Sequence, residues 1–258
     1  MNAGAEARLL IRSGGWRRPT AGLAPGHVQA NLAILPQADA LDFARFCFRN
    51  PRPCPVLDVT EPGSPHPSAA LAAGADLRTD LPRYRVYRGG ELAAELDDLN
   101  ALWQDDFVAF LLGCSFTFEQ ALIEGGIPVR HVECGCNVPM FRTNRACQPA
   151  GPFAGPLVVS MRPIPAALVP RAVTITARYP QVHGAPVHIG DPAALGIADV
   201  LRPDYGDAVP VQPGEVPVFW ACGVTPQAVA QSARLPLMIT HAPGHMLICD
   251  TLNRDLEG

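Results

Sequence analysis

The chain contains no lysine, and all twenty basic residues among its 258 are arginine. A lysine Schiff base, a lysine general base and the lysine of a phosphate-binding P-loop are therefore excluded. Any cationic group that holds a substrate must be arginine. The planar guanidinium of arginine suits the bidentate recognition of a carboxylate.

Positive charge in excess and long apolar runs are also absent. The net charge is −4, so a nucleic-acid partner, which needs a basic face, is not expected. No apolar stretch reaches the length of a membrane span. Residues 1–19 carry arginines but no continuous apolar segment, so we do not expect a secretory signal. We therefore predict a cytoplasmic protein with no membrane partner.

The spacing of the eight cysteines is irregular, and a chain of this length does not need a disulfide framework. Cys134 and Cys136 could join Cys147 in a metal cluster. A C-x-C pair with one further cysteine is, however, a poor zinc pattern. The dinucleotide and P-loop glycine spacings are missing as well, so we predict no metal and no cofactor.

Two segments of the chain match each other, residues 110–117 and residues 218–225. Each follows an apolar run and opens a predicted helix, with Cys114 and Cys222 at matching turns. A strand end and a helix start supply fixed backbone and free N–H groups for an anion. A thiol at such a turn can have a lowered pKa. The alternative is a small apolar residue that fills a tight turn.

The hydrophobic patterns predict an α/β fold. A three-layer α/β/α main domain, residues 1–128 and 207–258, is interrupted by a smaller two-layer α+β domain, residues 129–206. The predicted strands are 28–35, 55–59, 84–88 in a hairpin, 108–112, 140–144, 157–161, 187–189 and 217–221. The predicted helices are 39–49, 99–103, 117–124, 164–179 and 227–233, the last one entered through Thr225 as its N-cap and Pro226 in its first turn.

Polar residues on two neighbouring predicted strands could bind a substrate. Arg142 and Asn144 lie on one strand and Arg162 on the next. Two arginines on adjacent strands could hold two carboxylates, although both could instead be solvated or paired within the structure. Ser115, Thr20 and Thr225, which lie in turns or at helix starts, are further candidates for substrate binding.

Four of the seven histidines fall in two turns rich in glycine and proline. Such loops hold polar side chains at surfaces and active sites. The spacings of His188, His241 and His245 cross Pro-Gly turns without a clear carboxylate pattern. Acid/base or hydrogen-bonding roles are therefore favoured over metal binding.

Six segments resemble the D-glutamate cyclase-like family, whose bacterial members are usually named hydro-lyases. They are residues 19–31, 78–87, 113–116, 137–140, 183–192 and 240–245. The resemblance implies a two-domain α/β structure and a carbon–oxygen lyase. An animal mitochondrial member converts D-glutamate to 5-oxo-D-proline and water. No catalytic residue is carried over from the family.

A mechanism for cyclising D-glutamate follows as a hypothesis. Arg162 or Arg142 would hold a carboxylate, and His241 or His245 would act as base and then as acid. Backbone N–H groups after the two matched cysteines would form the anion site.

A sharper version makes Cys114 or Cys222 a nucleophile or proton carrier, in an arrangement similar to the two thiols of aspartate/glutamate racemases. The alternatives are a dehydratase of another small hydroxy acid and a non-catalytic protein that binds a small carboxylate. Whether the protein forms a homo-oligomer is left open by the sequence.

Overall fold

The computed structural model describes residues 2–258. The chain is an α/β protein, as the sequence predicts. Within these residues every helix is too short or too polar to cross a membrane. The strands are β1 (His27–Pro36), β2 (Val56–Val59), β3 (Tyr84–Arg88), β4 (Glu91–Leu96), β5 (Phe107–Gly113), β6 (Met140–Ala146), β7 (Pro156–Pro165), β8 (His188–Ile189), β9 (Glu215–Ala221), β10 (Met238–His241) and β11 (Leu247–Leu252).

Within residues 2–258, seven α-helices connect or flank these strands. They are α1 (Ala3–Arg12), α2 (Gln37–Arg49), α3 (Ala69–Ala72), α4 (Phe116–Glu124), α5 (Arg130–Glu133), α6 (Val169–Ala177) and α7 (Thr225–Ala233). Four 3-10 turns follow later strands and helices, at Ala166–Leu168, Pro180–Val182, Pro192–Leu195 and Asn253–Leu256.

The first sheet is antiparallel and has the strand order β2-β5-β1-β10-β3-β4, while β11 also pairs with β1. Side chains alternate between its two faces. On β1, Leu32 and Ile34 point into a core that includes Tyr84 and the segment around α3. Ala33 and Leu35 point to the other face, where residues of α2 and α7 pack against them. Burial on both faces explains the nearly continuous apolar run of β1.

The second sheet has the order β6-β7-β9-β8. Phe118 and Trp220 belong to the core between one face and helices α4 and α6, while Phe141 and Phe219 pack on the opposite face. Strands β6, β7 and β8 lie in the predicted inserted domain, but β9 comes from the segment assigned to the main domain. The predicted boundary at residue 206 therefore does not coincide with the limit of this sheet, and the domain division stays a prediction.

The two sheets repeat one topology. The order β2-β5-β1-β10 in the first corresponds to β8-β9-β7-β6 in the second, and all these pairs are antiparallel. In chain order, β1-α2-β2 corresponds to β7-α6-β8, and β5-α4 corresponds to β9-α7. After α4 the chain enters the second sheet as β6, and after α7 it returns to the first as β10. The two halves thus exchange a strand.

Several predicted elements differ from those observed. Residues 99–103 form a turn and not a helix, because the hydrogen bond from the N–H of Trp103 to the carbonyl of Leu99 (2.9 Å) does not continue. Ile164 extends β7, so α6 starts later and has Pro170 in its first turn. Thr225 is the first residue of α7 and not its N-cap, which is Val224. Strands β10 and β11 had no predicted counterpart.

Candidate functional site

The two matched thiols lie in one place. Cys114 follows β5 and Cys222 follows β9, and both are buried in a single apolar cluster with Val138, Met140 and Met246. The backbone N–H two residues after each cysteine lowers the pKa of that thiol. Burial nevertheless raises the pKa of Cys114 to about 12 and that of Cys222 to about 11. Both thiols are therefore protonated at neutral pH, and their catalytic role stays a prediction.

Arg162, on β7, is fully buried beside these turns. Its Nε donates to Oε1 of Glu119 (3.1 Å), Nη2 to the hydroxyl of Ser115 (3.0 Å) and Nη1 to the hydroxyl of Ser160 (3.1 Å). The structure thus brings the predicted residues Arg162 and Ser115 together with the thiols. Because the guanidinium is bound from three sides within the protein, its role as a substrate clamp stays a prediction.

Glu119 and His131 complete a buried polar network that the sequence analysis missed. Burial opposes the ionisation of Glu119, but His131 and Arg162 outweigh it and lower the pKa of Glu119 to about 2. Nε2 of His131 lies 3.0 Å from Oε1 of Glu119, although the two atoms are not aligned as a hydrogen bond. One signal was available: Glu119 is the only charged residue in the apolar first turns of α4.

Loop 19–27 and loop 240–245 are bonded to each other and together cover the buried thiols. The backbone N–H and the hydroxyl of Thr20 both donate to the carbonyl of Gly244 (2.7 and 3.1 Å). The N–H of Met246 donates back to the Thr20 hydroxyl (3.1 Å). Ala21 packs against the thiol cluster. Thr20 therefore joins loop 19–27 to loop 240–245.

A cleft of about 370 Å³ lies beside this cover. Arg83, Arg85, Asn137, Tyr205 and His245 line it, together with the acidic residues Glu95 and Asp204. Nε of Arg85 donates to Glu95 (2.8 Å). Burial lowers the pKa of His245, although its contact with the carbonyl of Pro243 acts in the other direction. The cleft therefore holds an imidazole that is neutral at pH 7 and two guanidinium groups.

Asn137 separates this cleft from a second one of about 520 Å³. The second cleft is lined in part by Trp16, Arg18, His131 and Asp207. Nδ2 of Asn137 donates to the carbonyl of Pro243 (3.2 Å), and its backbone N–H donates to Asp207 (2.9 Å). These bonds fix Asn137 between the two cavities.

The side chain of His241 bonds the backbone of β1 between the segments of β1 that pair with β10 and β11. The N–H of Leu32 donates to its Nδ1 (3.1 Å), at the point where β10 ends and β11 takes over the pairing with β1. Burial lowers the pKa of His241 to about 4. Its Nε2 is buried and has no hydrogen-bond partner within residues 2–258. The ring completes the sheet, and its predicted role as a base is untested.

The hydroxyl of Thr225 is fully engaged within the protein. It donates to the carbonyl of Cys222 (2.7 Å) and accepts the N–H of Val158 on the adjacent strand (3.1 Å). Thr225 therefore fixes the second cysteine turn to β7. Its predicted contact with substrate stays a prediction.

Three predicted residues are not brought to the thiols. His188 pairs with Phe219, whereas Arg162 pairs with the preceding residue Val218, so the two side chains lie on opposite faces of the second sheet. Arg142 and Asn144 have exposed side chains on β6. The sequence patterns predict one site, but the structure separates these three residues from it.

The three cysteines considered above as a metal cluster do not lie together. Cys147 packs with Cys47 and Cys54 in the core of the first sheet, while Cys136 lies against the core of the second. Among residues 2–258, no group of three or more His, Cys, Asp or Glu side chains is placed to hold a metal ion.

Comparison with known proteins relates the chain to one family. A sequence model described as D-glutamate cyclase matches residues 108–250. The chain is 64% identical to a "Putative hydro-lyase" of Rubrobacter xylanophilus over 98% of this chain and 97% of that protein. It is 61% identical to "Putative hydro-lyase GK2103" of Geobacillus kaustophilus, over 97% and 95% of the two chains.

Among solved structures, the chain is similar to a nitrogen repressor-like protein MJ0159 from Methanococcus jannaschii. The TM-score is 0.39 and the sequence identity 8%, over 92% of this chain and 91% of that one.

Proposed function

Because the chain belongs to the D-glutamate cyclase family, we propose that it is a hydro-lyase that closes D-glutamate to 5-oxo-D-proline and water. One observation carries this proposal. His245, Arg83, Arg85 and Asn137 line the same 370 Å³ cleft. A volume of this order accommodates a small amino dicarboxylate, and the side chains supply a base, cations and an amide.

The cations of the cleft account for substrate binding. Arg83 and Arg85 can each donate to a carboxylate in a bidentate geometry. Both already face acidic residues: Arg85 contacts Glu95 at 2.8 Å, and Arg83 lies 3.6 Å from Asp97. A cleft with mixed charge suits a substrate that carries an ammonium as well as two carboxylates.

His245 accounts for the proton transfers. Its lowered pKa keeps the imidazole neutral, so it can take a proton from the substrate ammonium. The amine then attacks the side-chain carboxyl carbon and forms a tetrahedral oxyanion, while the ring closes within one molecule. The carbon–oxygen bond breaks, and both protons that the nitrogen loses leave in the water molecule.

Tyr205 is the proposed donor to the oxyanion. It lines the cleft, and burial raises the pKa of its hydroxyl. A phenol that stays protonated can donate a hydrogen bond to the oxygen on which charge develops. In this scheme Arg162, Ser115, Thr20 and Thr225 hold the surrounding turns in place.

The test is the mass-spectrometric detection of 5-oxoproline from D-glutamate, with and without added metal ions. We expect the change His245→Gln to lower kcat/KM by about 10²- to 10⁴-fold, the usual contribution of a general base. The matched control is His188→Gln on the far face of the second sheet, which should change kcat/KM less than twofold. Equal losses in both variants would refute the role of His245.

The pH dependence gives a second check. Because the pKa of His245 is lowered, the base stays unprotonated to a pH below that of an ordinary histidine, near 6.5. The acidic limb of kcat/KM should therefore lie below about pH 6.5, and it should disappear in His245→Gln. Thermal stabilisation by D-glutamate without any product would favour a carboxylate-binding protein instead.

A further inference from the structure

A small pocket away from the His245 cleft contains a buried acceptor with no donor. The pocket holds about 150 Å³ between the glycine-rich loop 22–26 and α4, and Gln29 lines it. Gln29 is 4% exposed, and its Nε2 donates to the carbonyl of Thr20 (2.9 Å). This bond decides which amide atom is the oxygen. Oε1 is then buried without a hydrogen-bond partner within residues 2–258, which is rare for a buried polar atom.

A second unpaired acceptor lines the same pocket. Oδ1 of Asn253 is also buried without a partner among the described residues. Glu119, His27 and the glycine-rich loop also line the pocket, together with the apolar residues Phe116, Ile123 and Val132. Unpaired oxygen atoms favour a ligand that donates hydrogen bonds, such as an ammonium or a lactam N–H.

The pocket adjoins a wider cleft that contains basic side chains. Gly26, Gln120 and Asn253 line both cavities, and the outer cleft holds about 590 Å³. Three arginines line its outer part: Arg171, Arg178 and Arg254.

Only one of these arginines is firmly paired. Arg178 is bound to Glu257, whereas Arg254 is exposed and lies 3.9 Å from Asp255. Arg171 is exposed and forms no ion pair within residues 2–258. The acidic residues Glu124 and Glu257 also line the cleft. Arg171 and Arg254 are therefore the guanidinium groups available to an anion.

We propose that the joined cavities bind a small carboxylate that also carries an N–H donor. The donor group meets the oxygens of Gln29 and Asn253, and the carboxylate meets Arg171 and Arg254. This site shares no lining residue with the His245 cleft. The inner pocket of about 150 Å³ has room for several water molecules, and therefore for one five-membered ring.

The probe is 5-oxo-D-proline, which has a carboxylate and a lactam N–H and cannot cyclise further. Cyclopentanecarboxylate is the matched control, because its ring has the same size but no donor. In NMR titrations, the backbone amides of Gly26, Gln120 and Asn253 should shift with 5-oxo-D-proline, and the control should bind at least tenfold more weakly. Equal affinity for both probes, or no shift of these three amides, would overturn the proposal.

Two variants assign the contacts. Arg171→Gln and Asn253→Ala change partly or fully exposed side chains and should each weaken the titration at these amides by about fivefold or more. Arg88→Gln, an exposed change on β3, should have no effect, and Arg85→Gln in the other cleft should leave these shifts in place. Loss of the shifts in Arg85→Gln, with normal binding in Arg171→Gln and Asn253→Ala, would assign the probe to the other cleft and refute this site.

Discussion

The turn between β5 and α4 and the turn between β9 and α7 share one backbone plan but differ in chemistry. Both place a buried thiol at the strand end. The first turn continues with Ser115 and Glu119, which bind the buried Arg162. The second has Gly223 and Gln227 at the same positions. The duplicated frame therefore carries a buried ion pair in only one of its halves.

The second turn replaces charge with neutral hydrogen bonds. Nε2 of Gln227 donates to the carbonyl of His241 (2.7 Å), and its Oε1 lies 3.4 Å from both Arg85 and the hydroxyl of Tyr87. This half thus reaches the cleft that we assign to the substrate. The two turns share one arrangement of strands but differ in charge, because Gly223 and Gln227 stand where the first turn has Ser115 and Glu119.

The largest expected effect concerns the ion pair between Arg162 and Glu119, at the turn between β5 and α4. Glu119→Gln leaves Arg162 buried and uncompensated, so we expect a loss of about 3–5 kcal/mol in the free energy of unfolding. Denaturant unfolding measures it, with the exposed Glu124→Gln on the same helix as control. The double variant Glu119→Gln/Arg162→Met should lose much less than the sum of the single changes. Full additivity would contradict the pairing.

Acid should destabilise the turn that carries Glu119 more than the turn that carries Gln227. The pKa of Glu119 is lowered to about 2, so its stabilisation is complete above the unfolded value near 4.5 and is lost as the pH falls toward 2. A difference of this size corresponds to about 3 kcal/mol. The stability of the wild type should drop more steeply over this range than that of the double variant. Parallel pH profiles would contradict the lowered pKa.

A smaller effect tests the turn between β9 and α7, where Gly223 allows a close contact with Asn31. A Cβ at this position would lie 2.0 Å from Nδ2 of Asn31, whose amide donates to the carbonyl of Gly113 (2.8 Å). We expect Gly223→Ala to cost about 1–3 kcal/mol in unfolding experiments, as overpacking usually does. Asn31→Ser makes room, so the double variant should lose less than the two single changes combined. Additive losses would show that Asn31 is not the obstacle.

The smallest effect is expected at the two thiols themselves. Their pKa values are raised to about 12 and 11, and the thiolate needed for nucleophilic attack is scarce at neutral pH. Cys114→Ala and Cys222→Ala should therefore each retain kcat/KM within about tenfold. A loss above about 10³-fold in both would restore the thiol mechanism suggested by the sequence.

Most of the local structure could be predicted from the sequence. The apolar runs predicted β5 and β9, which precede the two cysteines, and they also predicted β1 and β7. The glycine pair after β3 predicted its hairpin. Local pattern did not give β10 and β11, because each is short and lies next to a loop rich in proline and glycine. Sheet membership was also beyond local pattern, since β9 pairs with β7 and β8.

The candidate site could be predicted only in part. The matched cysteines, Ser115 and Arg162 do lie together. His131 and Glu119 were missed because neither belongs to a spacing pattern. His188 was grouped with the site because it lies in a loop with the right residue types, but the face on which a strand residue points depends on its register.

The sequence by itself determined the family, through the resemblance of its long motifs. It also determined the α/β class and the positions of the repeated cysteine turns, because these depend on residue type and periodicity. Only the tertiary structure decided the exchange of β6 and β10 between the sheets, the pairing of Arg162 with Glu119 and the protonated state of the thiols. Strand partners are chosen by contacts between residues far apart in the chain. Burial, which sets the pKa of a thiol, exists only once those contacts have formed.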